Sequence, residues 1–254
     1  MWLLHWLLES AAQFRDLPLL ARANWDPYLK QDSRLPGPRG NLELTQAAAE
    51  EGDEARFKHL RSYDPEKAPT NTPEEFLAFC GVLGLGKLLE EGRIEELETL
   101  RHFANDPRWR IREAVAMALQ RYGEKDMGAL LCEMWRWVDG SYLERRAAVA
   151  ALCEPRLLGE ENLANHVLQI LDDVTRSIED SKDRGNVDIR VLRQGLGYCW
   201  SVAVVASPRE GIRLMERWLI DSDPDVRWIM RENLKKKRLE KLDPKWVERW
   251  QKAF

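Results

Sequence analysis

The reactive residues of this chain fail to form most of the usual catalytic arrangements. The four histidines (His5, His59, His102, His166) show no metal-ligand spacing with one another or with a cysteine. Cys80, Cys132, Cys153 and Cys199 include no C-x-x-C pair. Each sits in an apolar helical stretch, which predicts buried, reduced thiols in a cytoplasmic protein. No Ser/His/Asp or Cys/His arrangement can be inferred, and the carboxylate pairs Glu50-Glu51 and Asp172-Asp173 read as exposed helix faces. No metal and no cofactor is expected. What remains is a set of aromatic, arginine and amide side chains at recurring spacing: Trp109, Tyr142, Arg146, Arg190, Gln194, Tyr198, Trp228 and Lys235. Such residues build surfaces that hold phosphates, bases or peptides.

The elements that position them come from a repeated phrase. Asp106–Leu119 reads DPRWRIREAVAMAL, Asp139–Leu152 reads DGSYLERRAAVAAL, and Asp221–Leu234 reads DSDPDVRWIMRENL. Each has Asp, Arg six residues on, and an apolar run ending in Leu. Arg112 and Arg145 are 33 residues apart, and Arg193 precedes Arg227 by 34. The separation of 48 residues from Arg145 to Arg193 implies an insertion. A period of this length means stacked helical pairs, with neighbouring repeats burying a shared core.

From Ile94 the pairs read as Ile94–Ala104 with Pro107–Tyr122, and Met127–Val138 with Ser141–Cys153. Then come Leu163–Ile178 with Asp188–Val205, across a polar insertion Glu179–Asn186, and Pro208–Leu219 with Pro224–Lys237. Asp243–Ala253 reads as a terminal helix whose Trp246 and Trp250 cover the end of the stack. Upstream, Asn41 can cap a helix through Gln46–Glu51 that Gly52 stops. Thr72-Pro73-Glu74-Glu75 starts another, running to about Glu91. Its GVLGLG segment (Gly81, Gly84, Gly86) lacks a preceding strand, so close helix packing accounts for it better than a phosphate loop. Residues 1–31 suggest one or two short helices, with MWLLHWLLESAA an amphipathic capping helix rather than a signal peptide.

The shared register predicts one face. Trp109 corresponds to Tyr142, Arg190 and Pro224; Glu113 to Arg146, Gln194 and Trp228; Met117 to Ala150, Tyr198 and Glu232; Gln120 to Cys153, Ser201 and Lys235. Trp135, Trp137, Trp200 and Trp218 are expected in the core or at helix junctions. Arg112, Arg145 and Arg227 are expected to satisfy helix ends and the turn Asp.

The Asp-x5-Arg phrase followed by small and apolar residues resembles the HEAT repeat, over about residues 94–240 with a degenerate copy at 41–92. That resemblance implies an all-α superhelix of antiparallel helix pairs, whose second helices line the concave face. The expected organisation is a single domain: an N-terminal cap and loop (1–40), the degenerate repeat (41–92), recognisable repeats (93–241) and a capping helix (242–254). DPRWRIREAVAMALQRYG and DSDPDVRWIMRENL also resemble bacterial HEAT-like DNA alkylation repair proteins. In that group a tryptophan and a carboxylate one helical turn apart face the DNA, and Trp109 and Glu113 have that spacing. The resemblance implies that Glu113 would stabilise an oxocarbenium-like sugar as an alkylated base departs. Trp109 and Trp228 would pack on the nucleotide, while Arg146, Arg190 and Lys235 would hold phosphates.

Charge bears on the choice. The formal net charge is −4, which argues against broad adhesion to nucleic acid or an anionic membrane. The distribution is uneven: residues 1–100 hold 11 Lys/Arg against 18 Asp/Glu, and residues 209–254 hold 13 against 9. Any polyanion site is therefore expected in the C-terminal half. Two readings stand: a non-catalytic scaffold presenting a concave aromatic and arginine surface to a protein or peptide, and an alkylpurine DNA glycosylase-like protein binding duplex DNA. Neither involves a membrane.

Overall fold

A computed structural model describes residues 24–254. The expected capping helix in MWLLHWLLESAA and His5 lie outside the described residues. Within them the protein is all-α, with fourteen α-helices, one short 3-10 turn and no strand. The chain divides into two compact units, the second beginning at Gly123.

The first unit contains α1 (Asp26–Gln31), α2 (Leu42–Glu51), α3 (Glu54–Leu60), α4 (Pro73–Glu90), α5 (Glu96–Ala104) and most of α6 (Trp109–Lys125). Its centre is α4. The Thr72 hydroxyl accepts the Glu75 N–H at 3.3 Å, Pro73 opens the helix, and two carboxylates face its positive end. Every residue from Glu75 to Gly86 is buried, because α4 is apolar on all sides and α1, α2, α3 and α5 pack around it. The glycines make room for these neighbours. A Cβ at Gly84 would collide with the Phe57 ring of α3, and one at Gly52 would strike the same ring. A Cβ at Gly86 would lie 2.8 Å from the Ala118 carbonyl of α6. Asn41 caps α2 as expected, its Oδ1 accepting the Leu44 N–H at 3.2 Å. The sequence reading passed over α3, although Asp53 caps it by accepting the Arg56 N–H at 2.8 Å.

The second unit contains α7 (Met127–Trp137), α8 (Tyr142–Leu152), the 3-10 turn (Pro155–Leu157), α9 (Glu161–Glu179), α10 (Val187–Ala206), α11 (Pro208–Leu219), α12 (Pro224–Leu234), α13 (Lys237–Leu242) and α14 (Pro244–Ala253). Each odd-numbered helix from α7 to α11 packs on the even-numbered helix that follows it. In addition α7 packs on α9 and α9 on α11, while α8 packs on α10 and α10 on α12. The apolar faces of α9 and α11 supply much of the core, with Leu168, Ile170, Leu171, Met215 and Leu219 buried.

Buried tryptophans need an acceptor for the indole N–H. Trp137 donates to Glu133 at 2.9 Å, Trp200 to the Thr175 hydroxyl at 3.0 Å, and Trp218 to Asp172 at 2.8 Å. These bonds explain why Glu133, Asp172 and Thr175 are tolerated inside. Trp135 is only half-buried. Cys80, Cys153 and Cys199 are buried, and burial pushes the Cys80 thiol well above its ordinary range. Cys132 departs from expectation: it is exposed, because Leu130, Leu131, Met134 and Trp137 take the inward positions of α7.

The expected helix Pro224–Lys237 is two helices. Helix α12 ends at Leu234, Lys236 adopts an extended ψ of 122°, and α13 begins at Lys237. The break lets the chain turn so that Leu239 becomes fully buried, with α13 packed on α10. At the end of the chain Trp246 and Trp250 both donate to Glu216, at 2.9 and 3.4 Å, pinning α14 to α11.

Replacing Gly84 by Ala should lower stability by roughly 1–3 kcal/mol, since overpacking against the fully buried Phe57 ring outweighs the gain in helix propensity. Thermal melting followed by circular dichroism tests this. Phe57→Leu combined with Gly84→Ala should recover part of the loss, and strict additivity of the two changes would contradict the clash.

Candidate functional site

The expected site residues fall in both units, and each unit presents its own group. In the first, Trp109 opens α6 and is 45% exposed. Its neighbours in sequence point inward. Arg108 is buried in a two-pronged pair with Asp106, at 2.9 and 2.7 Å, and also donates to the Tyr63 and Ala68 carbonyls. Arg110 donates to Glu75 at 3.1 Å and to the Gly37 carbonyl at 2.6 Å. The Arg110 guanidinium also lies 4.4 Å from the Trp109 ring centroid, which fixes one face of the indole. Glu113, one turn further on, is partly exposed. The first turn of α6 therefore clamps the loops around Gly37 and Asn71 while holding an indole at the surface.

Arg112 and Arg145 serve the turn as expected. Arg112 donates to the Asp106 and Pro107 carbonyls at 2.7 and 3.0 Å, and Arg145 donates to the Val138 carbonyl at 2.8 Å. The other two repeat arginines do different work. Arg227 lies over the Phe254 ring, and Arg193 pairs with Asp225 while stacking on Trp228 at 4.7 Å.

In the second unit α8, α10 and α12 bring most of the remaining candidates onto one face. Arg190, Gln194 and Tyr198 stand at successive turns of α10 and are all exposed, Tyr198 by 42%. Gly197 draws α12 in, while α8 passes Gly195 at ordinary contact distance. A Cβ at Gly195 would lie 3.5 Å from the Cγ of Arg146 on α8, and one at Gly197 would lie 3.0 Å from the Trp228 ring on α12. Lys235 is committed to Glu232 through an ion pair and is not an open cation. Tyr142 is turned to the 180–186 loop, its hydroxyl donating to Ser181 Oγ at 3.1 Å, with Arg145 over its ring.

Sequence reasoning missed several groups. Arg238 donates to the Tyr198 hydroxyl at 2.7 Å, with its guanidinium 4.6 Å from the ring centroid. Lys236 sits 5.8 Å from the same ring. Neither occupies a position of the repeat register, and the break after α12 is what returns them to α10. In the first unit Asp26 accepts from the Tyr63 hydroxyl at 2.7 Å and lies 2.9 Å from His59 Nε2, joining α1 to the end of α3. That bond to a carboxylate, with burial, pushes the Tyr63 phenol up to about 12. Among the described residues no group of three or more His, Cys, Asp or Glu could hold a metal, and no helix is long and apolar enough to cross a membrane.

The polar insertion is a fastened loop. Arg184 pairs with Asp225 at 3.0 Å and with Asp223, and donates to the Glu179 carbonyl at 2.7 Å. Desolvation, together with the nearby Asp221, Asp180 and Asp223, raises the Glu179 carboxyl above its usual range. Comparison with known protein families, with characterised proteins and with solved structures gave no match.

Arg184→Ala should release residues 180–186 at a global cost of about 1 kcal/mol or less, since the pair is partly exposed. Glu179 is held above its unfolded value, so its charge opposes folding once the pH exceeds that value. The loop should therefore be less protected at pH 8 than at pH 5 in wild type and variant alike. Amide protection factors across the loop at both pH values measure this, and unchanged protection would show that Arg184 does not fasten the loop.

Proposed function

We propose that the chain is a HEAT-like α-solenoid acting as a non-catalytic binding scaffold, with the face of α8, α10 and α12 receiving a protein or peptide partner. The observation that carries this reading is the exposed row Arg190, Gln194 and Tyr198 on α10, flanked by Arg146 and Trp228. Repeat scaffolds expose such faces because neighbouring repeats bury everything else. Supporting the repeat assignment, Arg112 and Arg145 stand 33 residues apart and each donates to carbonyls of the turn ahead of its helix. The buried free thiols Cys80, Cys153 and Cys199 suit a reducing, cytoplasmic setting.

The test is quantitative capture from lysate of the source organism with wild type and an Arg190→Glu/Gln194→Glu variant. Both positions are exposed, so melting should shift little. The expected result is at least a tenfold loss of one or more specific partners, or about 1.4 kcal/mol. Identical partner sets at identical abundance would overturn this face as the binding surface.

A second reading, DNA alkylation repair, is favoured by one observation: Trp109 is held outward on a guanidinium with Glu113 one turn away. In that reading the Glu113 carboxylate stabilises the sugar cation formed as the glycosidic C–N bond breaks. The neutral alkylpurine leaves and water adds to the sugar. Duplex binding should then fall with salt at a log–log slope of about −3 to −5, from three to five neutralised phosphates. Methylated DNA should release 3-methyladenine or 7-methylguanine. Glu113→Gln should abolish release but keep binding. Absence of both release and low-salt duplex binding would end this reading and leave the scaffold alone.

A further inference from the structure

Resting on the scaffold reading, we infer that the α10 face binds an extended acidic peptide carrying two acidic positions about four residues apart with an apolar residue between them. The argument is one of charge left uncompensated. Around this face Lys235 is neutralised by Glu232, Arg193 by Asp225, and Arg184 by Asp223 and Asp225. Arg190, Lys236 and Arg238 have no carboxylate partner among the described residues. Their positions define a strip. Arg190 stands at one end, and Arg238 and Lys236 gather on Tyr198 at the other.

Eight residues of α10 separate Arg190 from Tyr198, about 12 Å along the helix axis. An extended chain advances about 3.3 Å per residue, so two acidic side chains about four residues apart match the two ends. Between the ends lies Gly195, which adds no side chain of its own, with the aliphatic stem of Arg146 beside it. An apolar peptide side chain would rest on that stem, and the Gln194 carboxamide can donate to and accept from the peptide backbone. Arg238 already presents a guanidinium oriented by the Tyr198 hydroxyl, so a bidentate bond to an incoming carboxylate needs little ordering.

The same map disfavours a duplex on this face. Near the N-terminal end of α12 Glu179, Asp180 and Asp221 cluster around Asp223, and Arg184, paired with Asp223, offsets only part of their charge. Duplex DNA carries a charge about every 1.7 Å of its axis and would run on into these carboxylates. A short peptide ends before them.

The test is fluorescence polarisation of the full chain with labelled nonapeptides SEDAWAEDS, SQNAWAQNS and SKKAWAKKS, and with a labelled 12-base-pair duplex, at about physiological salt. SEDAWAEDS should bind, with the neutral and basic peptides each at least about tenfold weaker. Arg238→Gln, Tyr198→Ala and Arg190→Gln should each weaken it by about fivefold or more, while Lys252→Gln on α14 leaves it unchanged. Melting temperatures within about 2 °C of wild type separate loss of binding from loss of fold. Equal binding of the acidic and neutral peptides, or insensitivity to all three face variants, overturns the inference. So does a duplex that binds more tightly and loses affinity with the same variants. If the Arg190→Glu/Gln194→Glu variant loses its cellular partners yet SEDAWAEDS does not bind, the scaffold reading stands and the acidic-peptide assignment falls.

Discussion

The second unit depends on how closely α12 approaches α10. That approach is set by one amide and one missing side chain. Asn233, fully buried on α12, accepts the Ser201 N–H of α10 at 2.8 Å and donates to the Leu196 carbonyl at 2.8 Å. Gly197 lies where a Cβ would press on the Trp228 ring. A buried carboxamide without these partners would be strongly destabilising, and with them it fixes the register of one helix on the next. Once α12 is seated, Trp228 lies against α10, Arg193 can reach both its ring and Asp225, and α13 is delivered to α10 with Leu239 buried. The first unit uses the same principle with different parts. There α4 gives up side chains at Gly84 and Gly86, and Phe57 and the Ala118 backbone occupy the space.

The helical pairs were legible because caps, proline starts and the Asp-x5-Arg phrase are local signals. Asn41, Thr72 and Gly52 mark boundaries through interactions within a few residues of themselves. The break at Lys235–Lys236 was not legible. Its cause is the burial of Leu239 against α10, a contact more than thirty residues away in sequence. The exposure of Cys132 escaped for a related reason. An apolar neighbourhood in sequence does not say which face of α7 turns inward.

The site was legible in its α10 row, because Arg190, Gln194 and Tyr198 follow from helical periodicity once α10 is placed. Its chemistry was not. Lys235, expected to hold a phosphate, is paired with Glu232, while Arg238 and Lys236, which the register does not single out, are the cations that meet Tyr198. Tyr142 was assigned to the same row and instead bonds to Ser181. Register predicts which backbone positions share a face. It does not predict which charged side chains find partners, since those partners lie on loops and neighbouring helices.

Equivalent repeat positions therefore carry unlike duties. Arg112 and Arg145 are consumed by turn carbonyls, Arg227 by a terminal ring, and Arg193 by an aspartate on the next helix. Only the aspartate cancels a charge; the carbonyls and the ring fix where a guanidinium lies and leave it cationic. What a face offers a partner therefore depends on which of its cations meet carboxylates, not on how many its sequence holds. The C-terminal segment has a modest excess of Lys/Arg, but the excess matters only where it survives pairing. It survives at Arg190 and beside Tyr198, on a helix whose position is set by Gly197 and Asn233. The contacts that seat α12 thus also determine how far apart the uncompensated charges stand, and so what length of anionic chain could bridge them.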